Sequence, residues 1–161
     1  MGSRAGRVHF DWSLAPAEAV SLIADAPQEV ERRVRTARGD ERRSGSGWSV
    51  SEYVSHVGDN LRNWAERLQA ARLSGVQEVV GYDPDELSRV RGYGAIPLQV
   101  AVWSLRVSSE MWVPVMRAAL AERVVLSHAS RGRQRAEDIA CNNGHDFFHH
   151  LWDIDQILLA R

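Results

Sequence analysis

Long segments in which apolar residues recur every three or four positions constrain the fold more than any other feature of this chain. The last segment runs from about Ala136 to Leu159, and at about 100° per residue its apolar side chains centre on one side. These residues are Ile139, Ala140, Phe147, Leu151, Ile154, Ile157 and Leu158. A helix with such a face must bury it against another element, so the pattern favours a helical bundle.

The first helical segment begins near Pro16, because proline suits the first turn of a helix. Its apolar residues continue to the middle of the segment, where Pro27 is expected to break or kink the helix. A second helical piece is then expected from Gln28 to Arg38.

Two further long helices are predicted in the middle of the chain. Ser49 is an N-cap candidate that forms a capping box with Glu52, and the helix that follows fades at residues 74–75. The other helix begins at Pro97, and Pro114 inside it is expected to produce a kink.

The connections between these helices carry little regular structure. Residues 39–47 form a polar, glycine-rich loop, residues 83–86 can open a short helix, and residues 124–126 suit a short strand or an extended loop. Residues 131–135 are predicted to be a basic turn, and residues 1–13 a loosely ordered lead-in. We therefore expect an all-α, four-helix bundle in which residues 1–161 form a single domain.

Charge and cysteine content exclude several function classes. The 161 residues include 20 basic and 21 acidic side chains, and a net charge of −1 does not favour nucleic acid or an anionic membrane as a partner. Cys141 is the one cysteine, so no internal disulfide is possible. No apolar run reaches the roughly 18 residues of a membrane span, and the first residues lack the apolar core of a signal peptide. A cytoplasmic protein is expected.

Candidate metal ligands cluster in the last helix. His145, Asp146, His149 and His150 form two pairs spaced four residues apart, which places each pair on one helix face. Imidazole and carboxylate ligands suit a divalent ion such as Zn, Ni or Fe. On the helical wheel Asp146 and His150 border the buried face, whereas His145 and His149 point away from it. Asp153 extends the inner flank, where it can bind metal or accept a ligand histidine's ring N–H.

A third ligand must come from another element. His56 is the strongest candidate, because it lies at the edge of the apolar stripe of the second long helix. His128 and His9 are weaker candidates, one in a loop-like stretch and the other in the lead-in. Cys141, His145 and His149 lie on one stripe of the helix and form an alternative ligand set for a softer metal ion. For Cys141, however, the favoured interpretation is a small, half-buried apolar residue.

A second apolar strip on the last helix concerns oligomeric state. It consists of Phe148, Trp152 and Leu159 and is distinct from the main apolar face. A helix that is apolar on two sides is either fully buried or in contact with a partner. A homodimer is therefore predicted.

Two sequence motifs resemble the DinB/YfiT-like superfamily. The stretch from Trp48 to Val57 is similar to that family's start of helix two, where a Trp-Ser/Thr opening leads to a ligand histidine, here His56. The stretch from His145 to Ile154 is similar to its final helix, with His150 as ligand and residue 146 as the ligand four positions earlier. Relatives have histidine there, or glutamate in the mycothiol-dependent maleylpyruvate isomerase branch. An aspartate departs from both, and leaves His145 and His149 as the alternative ligand pair.

The resemblance implies an up-down-down-up four-helix bundle, frequent dimers and a histidine-rich divalent-metal site with open positions. It also implies an enzyme that acts on a small molecule, as a thiol-dependent S-transferase, an isomerase or a hydrolase, with a low-molecular-weight thiol as a candidate cosubstrate. Tyr53 and Asn60, each one turn from His56, are candidates for substrate contact. The rival expectation is a non-catalytic bundle that binds metal or ligand and serves a stress or regulatory role.

Overall fold

Four long helices, one short helix and a small sheet make up the computed structural model, which describes residues 9–43 and 47–160. The helices are α1 (Pro16–Val34), α2 (Val50–Ser74), α3 (Pro84–Arg91), α4 (Leu98–Ala121) and α5 (Ala136–Leu159), with a 3₁₀ turn at Tyr93–Ala95. The strands are β1 (Glu78–Val79), β2 (Val125–His128) and β3 (Gly132–Arg135). The predicted all-α, four-helix bundle is confirmed, with the sheet as a minor addition.

The ends of α2 follow from local chemistry. The Ser49 hydroxyl accepts the backbone N–H of Glu52, and the Glu52 carboxylate accepts the backbone N–H of Ser49 at 2.7 Å. This reciprocal capping box satisfies two amide donors that a helix start leaves free. The helix ends at Gly75, whose φ of 68° is the left-handed conformation that glycine adopts without strain. Both predicted boundaries of α2 are confirmed.

A break or a kink was predicted at Pro27, and both the break and a separate helical piece from Gln28 to Arg38 are wrong. A single α1 extends from Pro16 to Val34, and Pro27 lies buried inside it. Proline removes one backbone hydrogen bond, but Ala26 and Val30 on either side of it continue one buried face. Packing of that face against the bundle outweighs the local cost, since most helix stability in proteins comes from tertiary contacts. Pro114 is likewise accommodated within a continuous α4.

The core is formed by the inward faces of all four long helices. Helix α2 packs along α4, while α5 packs against α1 and α2. Trp112 of α4 is fully buried, and its indole Nε1 donates a 2.9 Å hydrogen bond to Asn143 Oδ1 of α5. Arg91 and Tyr93 both donate to Asp59, which anchors α3 and the 3₁₀ turn to α2.

The sheet corrects the prediction for residues 131–135. That segment is β3 rather than a basic turn, and it pairs antiparallel with β2 from Val125–Arg135 to His128–Gly132. Strand β1 pairs parallel with the other edge of β2. Because β3 is polar and largely exposed, it lacks the alternating apolar pattern by which a strand is recognised.

The lead-in contacts α5 where the structure describes it. Trp12 stacks on His145 with ring centroids 4.3 Å apart, and Phe10 packs edge-on against the same imidazole at 5.2 Å. The remaining residues of the predicted loose lead-in, 1–8, lie outside the described residues. Across the described residues, none of the helices is both long and apolar enough to cross a membrane.

Candidate metal centre

Helices α2 and α5 bring three predicted ligands together. Asp146 and His150 lie one turn apart on α5, opposite His56 on α2, which is only 6% exposed. One oxygen of Asp146 is 3.3 Å from His150 Nε2, and the other is 3.6 Å from His56 Nε2. One potential ligand atom from each residue lies within 4.8 Å of the other two.

Neighbouring polar groups orient two of these three side chains. The Asn60 amide donates a 2.9 Å hydrogen bond to Asp146 Oδ2. The Asp153 carboxylate lies 3.2 Å from Nδ1 of His150, so the opposite nitrogen, Nε2, faces Asp146. Asp153 also lies 3.1 Å from Nδ1 of His149. A carboxylate on the distal ring nitrogen is the usual support for a metal-binding histidine, which is one of the two roles predicted for Asp153.

Aromatic rings flank the two imidazoles. The ring of Trp48 lies 4.8 Å from that of His56, and the ring of Tyr53 lies 5.3 Å from that of His150. The two imidazoles meet edge to face, with centroids 4.8 Å apart. These contacts restrict ring rotation and exclude water from the ring faces, which favours a fixed ligand geometry.

The charges of the site compensate one another. Burial alone would raise the pKa of Asp146, but the neighbouring imidazoles of His150 and His56 outweigh it and hold that pKa well below its usual range. Burial alone would lower the pKa of His150, yet the carboxylates of Asp146 and Asp153 raise it to about 9. At neutral pH the metal-free pair is therefore an imidazolium beside a carboxylate. A divalent cation that displaces the proton of His150 would be attracted by the same two carboxylates, Asp146 and Asp153.

The residues present fit a first-row divalent ion. Two ligand atoms that are each about 2.1 Å from one ion are roughly 3.0–3.4 Å apart in octahedral or tetrahedral geometry. The 3.3 Å and 3.6 Å separations around Asp146 are close to that range. Two imidazole nitrogens and one carboxylate suit Zn, Ni or Fe and leave further coordination positions free.

A cavity of about 640 Å³ opens beside the three side chains. Its wall includes His56, Asn60, Trp64 and Arg67, which occupy successive turns of one face of α2. The β2–β3 hairpin, the segment before α3 and the first turn of α3 supply further parts of the wall. Their lining residues include Gly81, Tyr82, Asp85, His128, Ser130, Arg131 and Gln134.

Sequence reasoning missed Arg67 and Arg131 of this cavity and gave His128 only as a weaker ligand candidate. Arg67 follows His56 by eleven positions, so the helical spacing that selected the histidine also carried a signal for the arginine. His128 was considered a weak candidate in a loop, but it is buried on β2. Arg131 reaches the cavity through the hairpin between β2 and β3, for which the sequence offered no local signal.

The alternative ligands are arranged less favourably. The described part of the chain contains one other group of three metal-binding side chains, His149, His150 and Asp153, and there His149 is exposed. His145 and His149 have ring centroids 6.1 Å apart and gather no third ligand within the described ranges. Cys141 lies 4.0 Å from the carbonyl of Trp12, and burial raises the pKa of its thiol, which disfavours the thiolate that metals require.

The fold and the gathered side chains define a helical bundle with a candidate divalent-metal centre. The structure is similar to that of YfiT from Bacillus subtilis, described as a probable metal-dependent hydrolase with an unusual four-helix bundle topology, with a TM-score of 0.75. The likeness covers 98% of this chain and 93% of YfiT at 15% sequence identity. No family model and no curated protein matched the sequence. At this identity the likeness shows the fold, and the predicted DinB/YfiT-like bundle is confirmed at that level.

Proposed function

We propose that this chain is a divalent-metal-dependent enzyme that hydrolyses a small-molecule substrate. The observation that carries the proposal is the convergence of His56, Asp146 and His150 at the wall of a 640 Å³ cavity. Structural metal sites are closed by four protein ligands, whereas catalytic sites keep a position open. Three ligands beside a cavity match the catalytic arrangement.

The roles of the side chains follow from their contacts. His56, Asp146 and His150 would hold the ion, which would supply Lewis-acid chemistry and lower the pKa of water. Asn60 fixes the carboxylate of Asp146, and Asp153 fixes the ring of His150 through Nδ1. This support keeps the ligands in position as substrate enters and product leaves.

Hydrolysis is favoured over thiol transfer by one comparison. YfiT, which has a similar fold, is described as a probable metal-dependent hydrolase. A thiol-dependent S-transferase or isomerase would instead need a low-molecular-weight thiol as a second substrate. A non-catalytic binding module would bind metal or ligand in the same site without turning over a substrate.

The proposal includes a cytoplasmic homodimer. Apolar side chains on one face of α4 are open to solvent, with Trp103 63% and Val100 49% exposed. On α5, Leu159 of the predicted second strip is exposed, whereas Phe148 packs against Phe10 at 5.6 Å. Size-exclusion chromatography with light scattering tests the dimer, and a species of 18 kDa alone would exclude it.

The enzymatic proposal is tested by removing and restoring metal. Chelator-treated protein is supplied separately with Zn²⁺, Ni²⁺ or Fe²⁺, and hydrolysis of a panel of small carboxylic esters, amides and phosphate esters is followed. We expect hydrolysis to return with at least one ion in the wild type and in His149→Ala, and to stay absent in His56→Ala.

Two results would contradict hydrolysis in different ways. Metal-loaded protein that consumes an added thiol together with an electrophile, but hydrolyses nothing, would establish the transferase reaction instead. Metal-loaded protein that turns over neither kind of substrate would favour the non-catalytic binding role.

A further inference from the structure

Arg67 is a half-buried cation without an acidic partner. Its side chain lines the cavity that the candidate metal ligands border. Within residues 9–43 and 47–160, no carboxylate lies within ion-pair distance of Arg67 or of Arg131, although ten arginine–carboxylate pairs occur elsewhere in these ranges. Asp85 also lines the cavity and pairs with neither arginine. A guanidinium taken out of water is usually paired with a counter-ion, and the described residues supply none to Arg67.

The guanidinium of Arg67 is held in a fixed position. It lies over the ring of Trp64, 4.8 Å from its centroid, and 5.6 Å from the ring centroid of Tyr82. One of its nitrogens, Nη2, donates a 2.9 Å hydrogen bond to the carbonyl of Val80. Cation–π contacts and a backbone acceptor restrict the side chain before any ligand arrives, which lowers the entropic cost of binding.

Two hairpin residues add further donors to the same cavity. Arg131 is exposed at the turn between β2 and β3, and its charge adds to that of Arg67. Burial, and then the charges of Arg131 and Arg67, lower the pKa of His128, which favours the neutral form of its imidazole. The backbone N–H of Ser130 donates to His128 Nδ1 at 3.3 Å, which leaves the ring hydrogen on Nε2.

We propose that Arg67, Arg131 and His128 form an anion subsite that takes the carboxylate or phosphate group of the substrate. All three are hydrogen-bond donors, and a planar guanidinium can donate two parallel N–H bonds to two oxygens of a carboxylate or a phosphate. This inference rests on the proposed function, since it assigns the substrate class to the same cavity.

The spacing along α2 bounds the length of that substrate. Arg67 lies eleven positions after His56, about 16 Å along the helix axis between their Cα atoms, and its guanidinium lies over the ring of Trp64. Asn60 and Trp64 line the wall between them. The expected substrate is an elongated small acid, with its anionic end towards the hairpin, its reacting bond near His56 and an intervening part that contacts the Trp64 ring.

The test titrates inorganic phosphate and acetate separately into metal-free protein and follows the tryptophan indole N–H signals by NMR. Arg67→Gln and Arg131→Gln should each weaken binding of the preferred anion at least about tenfold, because each removes a charge-assisted donor. Arg133→Gln removes the same charge from the same hairpin outside the cavity lining, and should bind as the wild type does. The tighter of the two anions identifies the head group.

Zinc affinity measured on the same proteins separates this inference from the proposed function. Anion binding lost in Arg67→Gln and Arg131→Gln, with zinc affinity retained, supports both. If anion binding is lost in the same two variants but the wild type binds no zinc, the result supports the anion subsite and contradicts the proposed metal-dependent enzyme. Zinc binding with no anion bound, or with equal anion affinity in all three variants, overturns the subsite alone. Arg131 is exposed, so its variant remains informative even if Arg67→Gln folds poorly.

Discussion

The carboxylate of Asp146 and Nε2 of His150 lie 3.3 Å apart across one turn of α5, and the carboxylates of Asp146 and Asp153 raise the pKa of His150 to about 9. The same contact is the centre of the candidate metal site. Proton and metal therefore compete for His150, and that competition makes the account measurable.

The stability of metal-free protein should fall as pH rises from neutral to alkaline values. The pKa of His150 is raised from 6.5 to about 9 in the folded state, so its contribution is fully present below pH 6.5 and is lost as pH rises through 9. The expected loss is roughly 3 kcal/mol, from about 1.4 kcal/mol per pKa unit. Urea unfolding at pH 6 and pH 9.5 measures it.

His150→Gln is the variant that isolates this effect, and His149→Gln is its control. The alkaline loss should vanish in the first and persist in the second. An equal loss in wild type and His150→Gln would mean that another group is responsible.

Removing the support of His150 should weaken metal binding. Asp153→Asn replaces the carboxylate beside Nδ1 with a neutral amide, so the ring becomes a poorer and less fixed ligand. We expect zinc affinity to fall about 10- to 100-fold, as measured by competition with a chelating dye. Asp155→Asn is the control, because that carboxylate pairs with Arg33 instead. Unchanged affinity in Asp153→Asn would remove Asp153 from the site.

Asn60 should matter through Asp146. In Asn60→Ala the carboxylate loses its 2.9 Å amide donor, and zinc affinity should decrease severalfold. Stability of the metal-free protein should fall by about 1 kcal/mol, the usual net value of one hydrogen bond. Asn63→Ala, on the same helix, loses only its bond to Tyr82 and should leave zinc affinity unchanged. Equal affinities in the two variants would contradict the role of Asn60.

The buried bond between Trp112 and Asn143 should stabilise the bundle without affecting metal. Asn143→Ala leaves the indole N–H of Trp112 unpaired in the core, at an expected cost of about 1–3 kcal/mol in the free energy of unfolding. Asn142→Ala, its neighbour, loses only a long 3.4 Å contact to Gln134 and should cost much less. Denaturant unfolding compares the two, and similar losses would show that the buried bond contributes little.

Local patterns were sufficient to predict the main helices and the inward-facing flank of α5. The capping box of Ser49 and Glu52 and the apolar face around Phe147 depend on neighbours along the chain, so both are visible in the sequence. Asp146 and His150 follow from the same helical spacing. His56 could be selected as a candidate, but its distance from His150 depends on how two helices pack.

What the sequence did not predict depends on tertiary contacts. A break or a kink at Pro27 was expected from a local rule, but burial of the surrounding face keeps α1 continuous. Strand β3 has no apolar alternation, and forms because β2 offers a free edge. The cationic wall of the cavity was missed for the same reason, since Arg131 comes near Arg67 only after the hairpin folds.

Metal analysis of protein purified without a histidine tag tests the central claim most directly, in the wild type and in the variants His56→Ala, His150→Ala and His149→Ala. The account predicts stoichiometric metal in the wild type and in His149→Ala, and its loss in both His56→Ala and His150→Ala. Metal retained in both of those variants, or lost only in His149→Ala, would contradict the assignment of His56, Asp146 and His150 as the site.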